Sequence, residues 1–237
     1  MPETLIKCEN VSFEYDGGIV LENVNFEICE SDYLCIAGSN GSGKSTLIKG
    51  LLRLKKHCKG KIVFSNGFSL QDISYLAQRT ETQKDFPASV WEAASCGVLN
   101  KKGFRFFHSK KDVKDIENAL KLLDVFELRN KCFRELSGGQ QQRVLIARAL
   151  CSFKKMFILD EPSTGLDPES LKNYYALLKK LNTENKITIV TVSHDVKNCA
   201  KSADKILHLA NKQLFFGLAQ EYLKSDIGKS WTENINA

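Results

Sequence analysis

The chain has 237 residues, 43% hydrophobic and 26% charged, with a net charge of +6. That size suits one large domain, or a core with an inserted subdomain, and the mild basicity suits a nucleic acid, an anionic leaflet or simply a solvated surface. No stretch approaches the roughly 20 apolar residues that span a bilayer, and Met1-Pro2-Glu3-Thr4 opens no secretory leader, so a soluble, non-secreted chain is expected.

Leu5 to Tyr15 and Ile19 to Ile28 alternate apolar and polar residues around Asp16-Gly17-Gly18, which reads as a β-hairpin. Tyr33 to Ala37 is a continuous apolar strand. It runs into Gly38, Ser39, Asn40, Gly41, Ser42, Gly43, Lys44, Ser45 and Thr46, and then into the helix-like Leu47 to Leu52. Strand, glycine-rich turn and helix together are the context of a phosphate-binding P-loop. Glycines let successive backbone N–H groups curl around phosphate oxygens, and the new helix points its positive end at them. Lys44 would reach the β- and γ-phosphates of a nucleoside triphosphate, and the Ser45 hydroxyl would hold Mg²⁺. The alternative is a glycine-rich turn with no ligand.

Gly60 to Phe64 and Asp72 to Leu76 return to short strands. After Gln78 the pattern turns helical, at Ser89 to Gly97 and Lys111 to Leu123, so a helical insertion is expected over residues 79–136. It divides a nucleotide-binding core with a β-rich part (1–78 and 137–225) and leaves a polar, frayed tail at 226–237. Asn100 to Lys111 interleaves basic and aromatic residues; it could stack single-stranded nucleic acid, but a surface loop of the helical insertion is the preferred reading.

Leu136-Ser137-Gly138-Gly139-Gln140 opens an amphipathic helix running to Leu150, with Ser137 and Gln140 in capping-box positions. Two glycines in a first turn cost stability, and they make sense where backbone must approach a ligand. This turn is a second candidate phosphate site. Met156 to Leu159 and Ile187 to Val192 are apolar runs of buried parallel strands, joined by a helix from Leu171 to Leu181. The first ends in Asp160 and Glu161, placed to bind Mg²⁺ and to polarise an attacking water respectively. Lys205 to Leu209 and Gln213 to Phe216 form a closing pair of strands. His57, His108 and His208 read as structural, and the eight cysteines, lacking zinc spacing, as reduced core residues.

One triphosphate does not need two phosphate sites from one chain. Two chains placed head to tail, each lending its Ser137 turn to the other's P-loop, use both. On these motifs the sequence resembles, over nearly its whole length, the ABC ATPases, the ATP-binding subunits of ABC transporters. Leu136 to Gln140 is similar to the family's signature motif. The resemblance implies an α/β fold: a RecA-like P-loop core with an N-terminal antiparallel β-subdomain and an inserted helical subdomain. It implies ATP and Mg²⁺ as ligands, with Tyr15 stacking on adenine and Val20 near the ribose. Gln78 matches the glutamine that joins Mg²⁺ and water to the membrane-facing subdomain. Ser163 to Asp167 resembles the loop whose aspartate, Asp167, touches the partner's site, and His194 matches the histidine that contacts the γ-phosphate. Glu161, His194, Gln78 and Lys44 are then the catalytic set.

Two other classes share these motifs. A chromosome-maintenance ATPase would place a long coiled coil between P-loop and signature; a translation factor would join two modules in one chain. Neither feature is present in this sequence. Gln78-Arg79, Asp85 to Val90, Gly97 and the basic loop look like zinc- and manganese-uptake ATPases, with iron-chelate importers close behind. The resemblance implies integral membrane permease subunits, indirectly a solute-binding protein, no nucleic acid, and a peripheral place on the cytoplasmic face of the membrane.

Overall fold

A computed structural model describes residues 2–77, 87–101, 108–152, 155–160, 167–194 and 196–233. Strand β1 (Thr4–Tyr15) turns through Asp16-Gly17 into β2 (Gly18–Cys29), and both turn residues have the positive φ of a two-residue hairpin, 48° and 78°. Strand β3 (Tyr33–Ala37) leads to helix α1 (Lys44–Leu51). Strand β4 (Lys59–Phe64) returns to pair antiparallel with β1, completing a three-stranded sheet ordered β2-β1-β4. Strand β5 (Ile73–Leu76) belongs to the other sheet.

Helices α2 (Val90–Ser95) and α3 (Lys110–Leu122) follow, each opened by a capping box, Ser89 with Glu92 and Ser109 with Asp112. Then come α4 (Gly138–Ser152), β6 (Met156–Asp160), α5 (Pro168–Asn185), β7 (Thr188–Ser193), α6 (Val196–Ser202), β8 (Lys205–Leu209), β9 (Gln213–Leu218), α7 (Ala219–Lys224) and α8 (Asp226–Glu233).

The large sheet has the order β5-β6-β7-β3-β8-β9, parallel except for the antiparallel pair β8–β9. Strand alternation divides the core into two layers. Tyr33, Cys35 and Ala37 join Phe157, Leu159 and Ile189 on the helical side, with Val90, Ile116, Leu120 and Val144 from α2, α3 and α4. Leu34 and Ile36 join Met156, Ile158, Val190 and Val192 on the other side, against Phe13, Leu21 and Phe26 of the small sheet and Leu47, Ile48 and Leu51 of α1. A strand covered on both faces has no room for polar alternation, which is why these runs are continuously apolar. Truncating such a side chain to alanine removes about 2–5 kcal/mol. This is the P-loop NTPase α/β fold.

Two expectations are corrected. The tail is not frayed over residues 226–233: it forms α8, whose Ile227 and Trp231, one turn apart, pack on the core. Nor are all cysteines reduced. Cys35 of β3 and Cys199 of α6, both fully buried, form a disulfide with Cα atoms 6.3 Å apart, while Cys8, Cys29, Cys58, Cys96, Cys132 and Cys151 are not disulfide-bonded. No helix among the described residues is long and apolar enough to cross a membrane.

The candidate nucleotide site

In a parallel sheet, ligands gather where strands end at their carboxyl edge. Here β6, β7 and β3 lie side by side, with Asp160 opposite Val192 and Ala37 opposite Ser193. Asp160, His194 and Gly38 therefore emerge along one edge.

The turn after β3 is built for close approach. A Cβ at Gly38, where φ is 150°, would overlap the carbonyl oxygen of Leu209 and the hydroxyl of Ser42. Gly43 caps α1 with φ 98°, a left-handed conformation that leaves the first backbone N–H groups of α1 unhindered by a side chain. Lys44 is 4% exposed, and its ammonium donates to the carbonyls of Gly38 and Ser39 at 3.0 and 2.8 Å. The lysine thus closes the loop on itself and stands beside the cradle. The Ser42 hydroxyl is buried with no hydrogen-bond partner among the described residues. A 440 Å³ cavity opens here, lined by Val20, Asn40, Gly41, Gly43, Lys44, Ser45 and Thr46. The donor set, a helix N-terminus, a lysine and hydroxyls, fits a polyphosphate.

The exposed hydroxyl of Ser45 and the buried carboxylate of Asp160 are hard oxygen donors, the kind that suits Mg²⁺. Tyr75 donates to Asp160 Oδ2 at 3.2 Å. Burial, then the Asp160 charge, pushes the Tyr75 hydroxyl up to about 12, so it remains a donor. Tyr15, at the end of β1, is 40% exposed and carries the Lys55 ammonium 3.7 Å from its ring centroid. One aromatic surface is thus held beside the hairpin turn that precedes Val20.

The Ser137 turn is a separate place. Ser137 and Gln140 close the expected capping box: the Ser137 N–H donates to Gln140 Oε1 at 3.1 Å, and the Gln140 N–H donates to Ser137 Oγ at 3.3 Å. Ser137, Gly138 and Gln140 are exposed. Ser137, Gly139 and Gln140 line a 280 Å³ cavity together with Arg143, Ser170 and Tyr174. This cavity shares no lining residue with the P-loop cavity. The structure therefore assembles the P-loop residues around one cavity and the signature residues around another.

Asp167 lies beside the second cavity. It caps α5, its Oδ1 accepting from the Ser170 N–H at 2.9 Å, and hydrogen bonding to Ser170 holds its carboxyl below the usual range. Ser170 in turn lies against Gly139. His194 is exposed just past β7, next to Ser193, whose hydroxyl is 3.0 Å from Tyr175 Oη. Gln78, Glu161 and residues 163–166 lie outside the described residues, as does 102–107 of the basic–aromatic loop.

Sequence reading missed two features beside the P-loop. Asn211, in the β8–β9 turn, reaches the P-loop and β2 by four hydrogen bonds. His208 of β8 is fully buried, with Nδ1 2.9 Å from Tyr222 Oη and its ring 4.6 Å from that of Trp231. Burial, and then the charge of Lys44, pushes its pKa down to about 4. For Asn211 the one local signal was an asparagine, a residue that favours turns, between two short strand-like runs.

Comparison with known proteins shows the family. The family described as ABC transporter matches residues 21–164. The zinc uptake system ATP-binding protein ZurA of Listeria monocytogenes is 36% identical over 224 residues, covering 92% of this chain and 87% of its own. The manganese transport system ATP-binding protein MntB of Halalkalibacterium halodurans is 33% identical, covering 98% and 93%. A bacterial ABC transporter cassette, MJ0796, solved as a dimer, superposes with a TM-score of 0.72 at 29% identity, over 91% of this chain and 99% of that one. The chain belongs to the ABC transporter family, as a nucleotide-binding ATPase cassette of the kind these folds define.

Proposed function

We propose that this cassette works as a head-to-tail pair that energises uptake of a divalent metal ion, zinc or manganese. The observation that carries the pairing is the separation of the two phosphate-type half-sites on one chain, with no lining residue in common. A partner's Ser137 turn would close over ATP held on Lys44 and the P-loop. Tyr15 and Val20 would hold the adenosine. Ser45 and Asp160, with Gln78, would hold Mg²⁺, which when bound neutralises charge on the transferring phosphoryl group. Glu161 would orient and deprotonate the attacking water, and His194 would donate to the γ-phosphate oxygens. Catalysis here is positioning and charge stabilisation, completed only on closure. Asp167 would reach across the seam from beside the Ser137 cavity.

The helices over 79–136 would form the unit that carries this motion to integral membrane permease subunits, with a solute-binding protein delivering cargo. The chain would then sit peripherally on the cytoplasmic face of the membrane. The metal reading is supported by what the similar proteins are named for, zinc uptake and manganese transport. Deleting the gene and measuring cell-associated zinc, manganese and iron tests it. Zinc or manganese should fall and be restored by the wild-type gene but not by Glu161→Gln. A fall in iron alone would assign an iron-chelate importer instead, and unchanged metals would remove the proposal.

A further inference from the structure

The P-loop and the strand that precedes it in the pocket wall come from different parts of the fold. Val20 lies on β2 of the small sheet; the P-loop follows β3 of the large one. Asn211 joins them. Its N–H donates to the Ser42 carbonyl at 3.1 Å, and its carboxamide Nδ2 donates to the carbonyls of Gly41 at 3.3 Å and Val20 at 3.1 Å. Its own carbonyl accepts from the Glu22 N–H at 2.8 Å. The residue has φ 57°, a left-handed conformation that asparagine tolerates better than most side chains. The backbone of Lys212 next to it pairs with that of Glu22 in an isolated parallel β-bridge, and Leu209 on the other side carries the carbonyl against which Gly38 packs. One turn thus brackets the phosphate cradle and the base-side strand at once.

We propose that Asn211 is a positioning residue that sets the distance between the phosphate cradle and the Tyr15–Val20 wall, so that it governs binding of the whole nucleotide more than binding of its phosphates. This rests on the reading of the P-loop cavity as the ATP site. The carboxamide bonds are two exposed hydrogen bonds, each of modest net worth, so their loss should weaken ATP binding roughly fivefold. Asn211→Gly keeps the left-handed turn and all backbone bonds while removing both carboxamide bonds. Asn211→His keeps a donor at similar reach and tolerates the same backbone.

Titration calorimetry with Mg²⁺ would compare ATP with inorganic tripolyphosphate on the full chain. Asn211→Gly should raise the Kd for ATP roughly fivefold and leave tripolyphosphate within about twofold, while Asn211→His should stay near wild type on both. Equal loss for the two ligands would reduce Asn211 to a structural prop and overturn the proposal, as would unchanged ATP binding in Asn211→Gly. A wild-type chain that binds no ATP would overturn the reading of the cavity itself, a different failure from wild-type binding with an indifferent variant.

Discussion

The two half-sites of this chain are built in opposite ways. The P-loop is set into the edge of the large sheet: Lys44 is 4% exposed, its ammonium fixed on two carbonyls, and Gly38 lies flush against the backbone of β8. The Ser137 turn stands on the surface, its N–H and hydroxyl paired with its own Gln140 and its carbonyl with the Gln141 N–H, and its serine faces solvent. A buried, preorganised cradle binds ligand by itself. An exposed helix N-terminus offers the same N–H chemistry but little enclosure, and gains its worth only when a second surface excludes water. On the proposed pairing, the contrast would let one chain bind nucleotide alone yet lack a complete site.

That difference can be attacked at both ends. The largest effect is expected at the cradle: Lys44→Ala should lower ATP turnover by more than about 100-fold and weaken ATP binding as well, since a charge on the transferring phosphates is lost. Ser137→Arg should lower turnover on the order of 50-fold yet leave the Kd for ATP within about threefold, because on the proposed pairing the blocked turn would serve the partner's site. If Ser137→Arg damaged binding as much as Lys44→Ala does, the two regions would be one site and the contrast would dissolve. Turnover and equilibrium binding on the purified variants separate these outcomes.

A smaller effect sharpens the picture of the cradle's foundation. His208 lies opposite Ala37 on the neighbouring strand, buried with Tyr222 and Trp231 from the last two helices. Its pKa is pushed from 6.5 down to about 4, so the folded chain keeps it neutral while the unfolded chain protonates it below pH 6.5. The unfolded state then binds more protons, and stability is present above that pH and lost as pH falls toward 4, by roughly 3 kcal/mol at most. The double variant His208→Leu, Tyr222→Phe removes the imidazole without orphaning the hydroxyl, and its urea stability should fall less between pH 7 and 4.5. A variant with the wild-type acid slope would show that His208 does not titrate this way.

Much of this was legible in the chain itself, for a local reason. The P-loop, the Ser137 capping box and the buried strands are spelled by neighbouring residues, and the strands recur within a residue or two of their expected bounds. What escaped depends on residues far apart. Asn211 acquires its role from contacts with Val20, Gly41 and Ser42, and His208 from Tyr222 and Trp231. Cys35 and Cys199 are 164 residues apart and meet only because β3 lies under α6. Helices α6 and α7 are seven and six residues long, too short for a clear period, and α8 hides its two apolar anchors among polar neighbours. Asp167 was read for the partner and missed as the cap of its own helix.

The central claim is that each active site takes its cradle from one chain and its Ser137 turn from another. Mixing two inactive variants tests it most directly. In a mixed pair of Lys44→Ala and Ser137→Arg, one seam carries both lesions and the other carries none. Equal amounts of the two proteins, allowed to exchange, should therefore recover ATPase activity toward about a quarter of the wild-type rate, since about half the pairs are mixed and each has one intact seam. Two dead proteins that stay dead on mixing, under conditions where they are shown to associate, would mean that cradle and turn do not meet across a pair.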